Sequence, residues 1–338
     1  MAEKNKKLAE IHEIKAATEK RAAEEQAMCQ SQKVDSPPKE KISLNEVLTA
    51  LRDNQDGDAQ LFIRLHKNKM VFDHSENRWF LWKDGHWKPD STSEAVNSIK
   101  GLTNYYKNLI IQIQKIKAKS NDGFDGVTQS YSYIEKMLQT RIHDLQTLKR
   151  KNCILSLASA GEENLGVSAE VWDRDPGLLG CANGVIELQT GNFRPAKPED
   201  FIRTISPVEW QGLDATAPRW DQFLLEIFNN NQELVDFLQR LMGYALSGQV
   251  SEHIFPIFWG LGRNGKSTLM ETIKQILDRL VGPIPTETLM KQHLIASGAV
   301  PSPDIMLLKG RRIVWASETS ENGKLNIEKL SDLLAVIL

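Results

Sequence analysis

The chain has 338 residues, 41% of them hydrophobic and 25% charged, with 42 Lys and Arg against 44 Asp and Glu and a formal net charge of −2. Such a composition is that of a soluble globular protein, and it excludes a disordered chain or a global attraction for phosphate, so nucleic-acid contact requires a local basic surface. Cys29, Cys153 and Cys181 stand far apart with no C-x-x-C pair, which argues against a disulfide framework or a zinc module and fits a reducing cytosol.

The N-terminus, MAEKNKKLAE, lacks the apolar core of a signal peptide, and no apolar run reaches the roughly 18 residues of a membrane span; a cytoplasmic protein is expected. Residues 3–28 combine Ala, Glu and Lys with Leu8, Ile11 and Ile14 at helical spacing, which predicts a solvated helix with a thin apolar stripe. SQKVDSPPKEK then reads as a linker, so residues 1–43 form a charged helical leader, either a partner-binding helix or a solvent-exposed extension.

Residues 44–215 read as a mixed α/β domain. In RWFLWKDGHWKP, Asp84-Gly85 between aromatic flanks predicts a β-hairpin. Trp79, Trp82 and Trp87 either pack a sheet face or offer a stacking platform to unpaired bases. Residues 95–151 have mostly helical spacing and end in the basic run KMLQTRIHDLQTLKRKN, which is either a phosphate contact or a set of cations favoured near a helix C-terminus. Around QTGN a second strand pair is predicted. Asp173 and Asp175 form an Asp-x-Asp pair of the kind that binds metal ions, but Pro176 and Gly177 follow at once, which favours a turn.

Residues 216–250 form a helical connector. Trp220, Phe223, Leu224, Ile227 and Phe228 mark one amphipathic helix, and Leu234, Phe237, Leu238, Leu241 and Met242 a second, with Gly248 as its C-terminal cap.

The chemistry sits in residues 251–338. Gly260, Leu261, Gly262, Arg263, Asn264, Gly265, Lys266 and Ser267 fill the pattern G-x-x-x-x-G-K-[ST], in which glycines let backbone N–H groups close around phosphates and the following helix adds its positive end. The apolar IFPIFW before the loop is expected to be a buried strand, with Pro256 at its first position; Leu269, Ile273, Ile276, Leu277 and Leu280 predict the helix after it. Lys266 is placed to reach the β- and γ-phosphates of ATP, and Ser267 to coordinate Mg2+. Hydrolysis needs a carboxylate at a neighbouring strand end, for which Glu318, closing RRIVWASE, is the candidate catalytic and metal residue alongside Lys266; Glu187 in GVIELQTG competes but lies in the predicted hairpin.

The segments LLGCANGVIELQTGNFRPAKPEDF, FLQRLMGYALSGQVSEHIFPIFWGLGRNGKSTLM and LKGRRIVWASETSENGKLN together resemble the phage and plasmid primase-helicases of the satellite-phage and poxvirus type, whose motor belongs to helicase superfamily 3. The loop form G-x-G-x-N-G-K-S, with Asn264 before Gly265, is narrower than the general phosphate-loop pattern. The resemblance implies an AAA+-like P-loop ATPase that forms a ring, acts on DNA and works with a primase. It assigns Lys266 and Ser267 to phosphate and magnesium, and Glu318 to the acidic motif. Thr268 follows as in such proteins, either assisting the loop or opening the helix.

Two departures accompany it. No primase-like acidic or cysteine cluster precedes the resemblance, and after NIEKLSDLLAVIL the family's sensor strand and arginine do not follow. The expected fold is therefore α/β, an incomplete P-loop ATPase domain behind a mixed helical and β-hairpin domain and a charged leader. Without the sensor strand, residues 254–259 and 313–317 are expected to leave backbone groups unpaired, at roughly 1–3 kcal/mol for each buried one, unless they pair directly or borrow a strand. The expected function is an ATP-binding DNA-replication protein with weak hydrolysis. The alternative is a non-catalytic module that binds DNA or a replication partner through its first domain, with a relic loop; a small-molecule kinase is a third reading.

Overall fold

Alternating apolar and polar positions from residue 44 onward build helices and small sheets in the computed structural model, which describes residues 44–119, 126–161, 163–249, 251–260, 262–291, 308, 310–317 and 324–335. The predicted leader helix and linker lie outside the described residues. The chain divides between Thr49 and Ala50 into two units. The first is described only over residues 44–49, the opening of α1 (Leu44–Arg52); the second carries the remaining elements.

In the second unit, α2 (Asn54–His66) packs against α3 (Glu94–Lys119) and α5 (Leu148–Ala158), while α3 also packs against α4 (Gly126–Asp144). A charged knot ties these four helices. Asp58 is fully buried and accepts hydrogen bonds from Tyr106 Oη at 2.8 Å, Arg141 Nη1 at 2.9 Å, and Arg150 Nε and Nη2 at 3.0 and 2.6 Å. Arg141 also donates to the carbonyls of Leu51 and Asn54. Burial beside the Asp58 charge pushes the Tyr106 phenol above its ordinary range. The two arginines of the basic run KMLQTRIHDLQTLKRKN thus point inward, each buried to 9% exposure, rather than outward as a phosphate patch.

His66, at the end of α2, stacks obliquely on Phe62 at 4.3 Å, and its Nε2 is buried with no hydrogen-bond partner among the described residues. Burial pulls its pKa down to about 4, with Lys69 adding repulsion. The folded state therefore favours the neutral ring: the contribution is complete above the unfolded pKa of about 6.5 and is lost as pH falls towards 4. Urea titrations are expected to show stability dropping by about 3 kcal/mol between pH 7 and pH 4 from this group, a drop that His66→Phe removes.

Four strands form the first sheet in the order β3-β2-β1-β4: β1 (Met70–Asp73), β2 (Arg78–Lys83), β3 (His86–Pro89) and β4 (Gly166–Val167). The hairpin forms where Asp84-Gly85 predicts it, with both residues at positive φ, 50° and 75°, as a two-residue turn matched to strand twist requires. Its tryptophans pack. Trp87 is 2% exposed, donates Nε1 to the Pro198 carbonyl at 2.9 Å and sits in a cluster with Val71, Phe80, Trp172 and Phe201. Trp82 lies edge-on to it at 5.4 Å, and half-buried Trp79 meets Phe72 at 5.3 Å.

The second sheet, β5-β6-β7, comprises Leu178–Cys181, Gly184–Glu187 and Asn192–Arg194, the strand pair expected around QTGN. Asp173 and Asp175 serve the turn before it. The Asp173 carboxylate accepts the backbone N–H groups of Arg203 and Thr204, and Asp175 accepts that of Gly177 at 2.8 Å. These bonds tie both carboxylates to the turn, and among the described residues no cluster of three or more His, Cys, Asp or Glu suited to a metal ion occurs.

The two predicted amphipathic helices follow as α6 (Pro218–Ile227) and α7 (Gln232–Leu246), and Gly248 takes φ 68° just beyond the second. One apolar core runs through the expected connector and into the loop domain: Leu179, Cys181 and Ile186 of the sheet meet Leu224, Leu238 and the inner face of α8 (Lys266–Leu277). β8 (Val281–Pro283) and β9 (Ile313–Trp315) then pair in parallel, and α9 (Ile327–Ala335) closes the described chain. Arg312 fastens this pair to the rest. Its guanidinium donates to the carbonyls of Pro176, Leu178 and Leu246, the last at the C-terminal end of α7, where a cation is favoured by the helix dipole. Among the described residues no helix is long and apolar enough to cross a membrane.

One expectation fails. IFPIFW forms no strand; Ile254, Phe255, Ile257, Phe258 and Trp259 are 44, 40, 74, 40 and 86% exposed. An apolar run becomes a strand only when a neighbour completes its ladder. β9 is hydrogen-bonded to β8 instead, and Pro256 has no N–H to donate. The direct pairing of 313–317 with 254–259 is thus replaced by pairing of 313–315 with 281–283.

Candidate nucleotide-binding site

Four residues of α8, Leu269, Met270, Ile273 and Leu277, are buried in the core, so the start of this helix is held while its first turn faces outward. Ser267 and Thr268 are exposed there. Gly265 precedes the helix at φ 84°, in the left-handed region that side chains resist. Space imposes the same choice: a Cβ on Gly265 would come within 2.5 Å of Ile227 Cγ2 and 3.3 Å of the Phe223 ring. The loop therefore leans on α6 through a glycine, which the spacing of the motif does not reveal.

Lys266 curls back over the loop. Its Nζ donates to the Gly260 carbonyl at 3.0 Å and to Asn264 Oδ1 at 2.9 Å. An ammonium has three N–H donors, so one remains for an incoming oxygen. A Cβ on Gly260 would lie 2.0 Å from Asn264 Nδ2, so the carboxamide that holds the lysine would have to shift to admit it. Asn264, singled out in sequence for its position alone, thus acquires a physical role, because its side-chain oxygen and the Gly260 carbonyl together orient the lysine. Arg263 takes φ 60° at the turn, and Gly262 has open space on its Cβ side.

The structure brings Gly260, Asn264, Gly265, Lys266 and Ser267 into one loop and helix start. Leu261 and Glu318 lie outside the described residues, as do 319–323; Ser317, just before, is exposed and its carbonyl accepts from Thr286 Oγ1 at 2.9 Å. The competing Glu187 is engaged by Arg194 Nε at 2.9 Å on the hairpin, at the end of a strand that pairs within the β5–β7 sheet. Sequence reasoning missed Arg312 as a clamp, and the only signal for it was the pair Arg311-Arg312 before an apolar strand.

A family model described as D5 N terminal like matches residues 59–229, from α2 to just past α6 and ahead of the glycine-rich loop. A protein of Acanthamoeba polyphaga mimivirus provisionally named helicase L207/L206 is 31% identical over 157 residues, which is 46% of this chain and 16% of that protein. An African swine fever virus protein provisionally named primase C962R, from the Tick/Malawi isolate, is 24% identical over 244 residues, 69% of this chain and 22% of that protein. The chain spans about a fifth of the length of these curated relatives.

Proposed function

Since the chain belongs to the D5 N-terminal-like family, we propose that it is a DNA-replication protein of primase-helicase type that binds ATP with Mg2+ on the loop from Gly260 to Thr268. The observation that supports this reading is the arrangement of Lys266: its ammonium is aimed over the mouth of the loop by Gly260 and Asn264, at the exposed N-terminus of a helix anchored in the core. Helix-start N–H groups, a fixed ammonium and a neighbouring hydroxyl are the groups a nucleotide polyphosphate requires. In this reading Lys266 holds the β- and γ-phosphates, Ser267 holds magnesium, and Glu318 is the proposed acid that positions water. Bound Mg2+ supplies charge neutralisation at the phosphates. The P-loop ATPase character of residues 251–338, a ring of subunits, and work with DNA and a partner primase belong to the same proposal.

Titration of ATP and Mg2+ into the purified protein tests it. Binding is expected, and Lys266→Ala is expected to weaken it by roughly 10- to 100-fold, the worth of one charge-assisted hydrogen bond. Equal affinity in the variant would overturn the assignment. Because the family match ends at residue 229, the second reading is a binding module with an idle loop. It requires DNA binding that is indifferent to both ATP and Lys266→Ala, whereas the first reading expects ATP to change it.

A further inference from the structure

The face of α3 that meets the α4–α5 turn carries a groove of about 420 Å³ into which Lys100, Lys107 and Lys151 project beside Asn97, Asn104 and Gln146. No carboxylate lines it. Lys83, Lys88 and Lys117 are paired with Glu94, Asp84 and Glu135; the three groove lysines, like most others, make no ion pair among the described residues, and what sets them apart is that they share one concavity. Three like charges in one concavity repel one another, and a protein gains nothing in stability by placing them there. Tyr106 and Arg150, the immediate sequence neighbours of Lys107 and Lys151, turn inward to bond Asp58, where two arginines share one carboxylate, so no acidic side chain of that network is left over for the groove lysines.

We propose that this groove holds the phosphate backbone of a DNA strand. The proposal rests on the reading of the chain as a DNA-replication protein and specifies where the strand lies. The lining decides the kind of contact. Lysines supply point charges, and the carboxamides of Asn97, Asn104 and Gln146 supply N–H donors that make no hydrogen bond to the protein among the described residues. No aromatic ring or arginine fork lines the groove to stack on or read a base. Contact is therefore with phosphates and independent of sequence. An open trough between helices suits a continuous strand better than a single nucleotide, for which the loop at Gly260 is the proposed site.

The test is the salt dependence of binding a fluorescent single-stranded oligothymidylate to the full chain, between about 50 and 200 mM salt. Changing Lys100, Lys107 and Lys151 together to Gln is expected to flatten the slope of log K against log salt by about 2, three phosphate contacts at roughly 0.7 each for a single strand. Lys67, Lys136 and Lys291 changed to Gln form a control of equal charge, expected to leave the slope within about 0.5 of the parent. If the parent binds DNA and the groove variant retains its slope and affinity, the groove is refuted while the DNA reading stands. If the parent binds no DNA, that reading falls and takes the groove with it. Retention of RNA but not DNA on the same lysines would overturn the strand assigned. Unchanged ATP affinity in the groove variant separates either result from misfolding.

Discussion

Asp58→Ala is expected to lower the free energy of unfolding by about 3–5 kcal/mol, the usual cost of removing one partner from a buried ion network. The reason is local. With the carboxylate gone, Arg150 loses both of its bonds to Asp58, Arg141 keeps only its carbonyl contacts, and the Tyr106 hydroxyl loses its acceptor. Two guanidinium groups at 9% exposure then face each other without a counter-charge. Asp58→Asn preserves shape and one acceptor but not the charge, so it is expected to recover only a minor part of the loss. Urea denaturation followed by circular dichroism measures both. A fall of less than about 1 kcal/mol in the alanine variant would show that the network contributes little to holding the helices together.

Gly265→Ala is expected to cost about 2–5 kcal/mol, from roughly 1–2 for a side chain at left-handed φ and 1–3 for overpacking. Those two costs come from φ 84° and from a new methyl placed 2.5 Å from Ile227 and 3.3 Å from Phe223. The loop and α6 have to separate to admit it. Lys266 begins the helix at the next position, so ATP affinity is expected to fall with stability. Gly262→Ala provides the comparison within the same loop: its added Cβ meets nothing within 4 Å and its φ is not in the positive region, so stability is expected to change by less than about 0.5 kcal/mol. Thermal unfolding of the two variants with and without ATP separates the structural cost from the loss of ligand contact.

The features read correctly in the chain share one property: their causes lie within a few residues of one another. Asp84-Gly85 sets its own turn, Gly248 ends its own helix, and the spacing of Leu269, Ile273 and Leu277 places one face of α8 in the core. IFPIFW marks the limit of that local criterion: its apolar content points to burial, yet a strand depends on a partner supplied from elsewhere. The basic run at 136–152 divides for a similar reason, its two arginines turning inward while Lys151 lines the groove. Periodicity placed Arg141 and Arg150 on helices but could not say that a carboxylate 83 and 92 positions away would draw them inside.

Within the candidate site, the sequence pattern named the residues, and the structure added their reasons. Asn264 turned from a character in a motif into an acceptor that orients Lys266. Gly265 turned from a phosphate-loop glycine into a contact point with α6. The sequence by itself determined the hairpin turn, the helix faces and the loop that begins α8, because φ preferences and 3.6-residue spacing act over short stretches. Only the tertiary structure decided which arginines are buried, which lysines are left facing an open groove and which apolar run stays exposed, because ion pairs and strand ladders join residues that are distant along the chain.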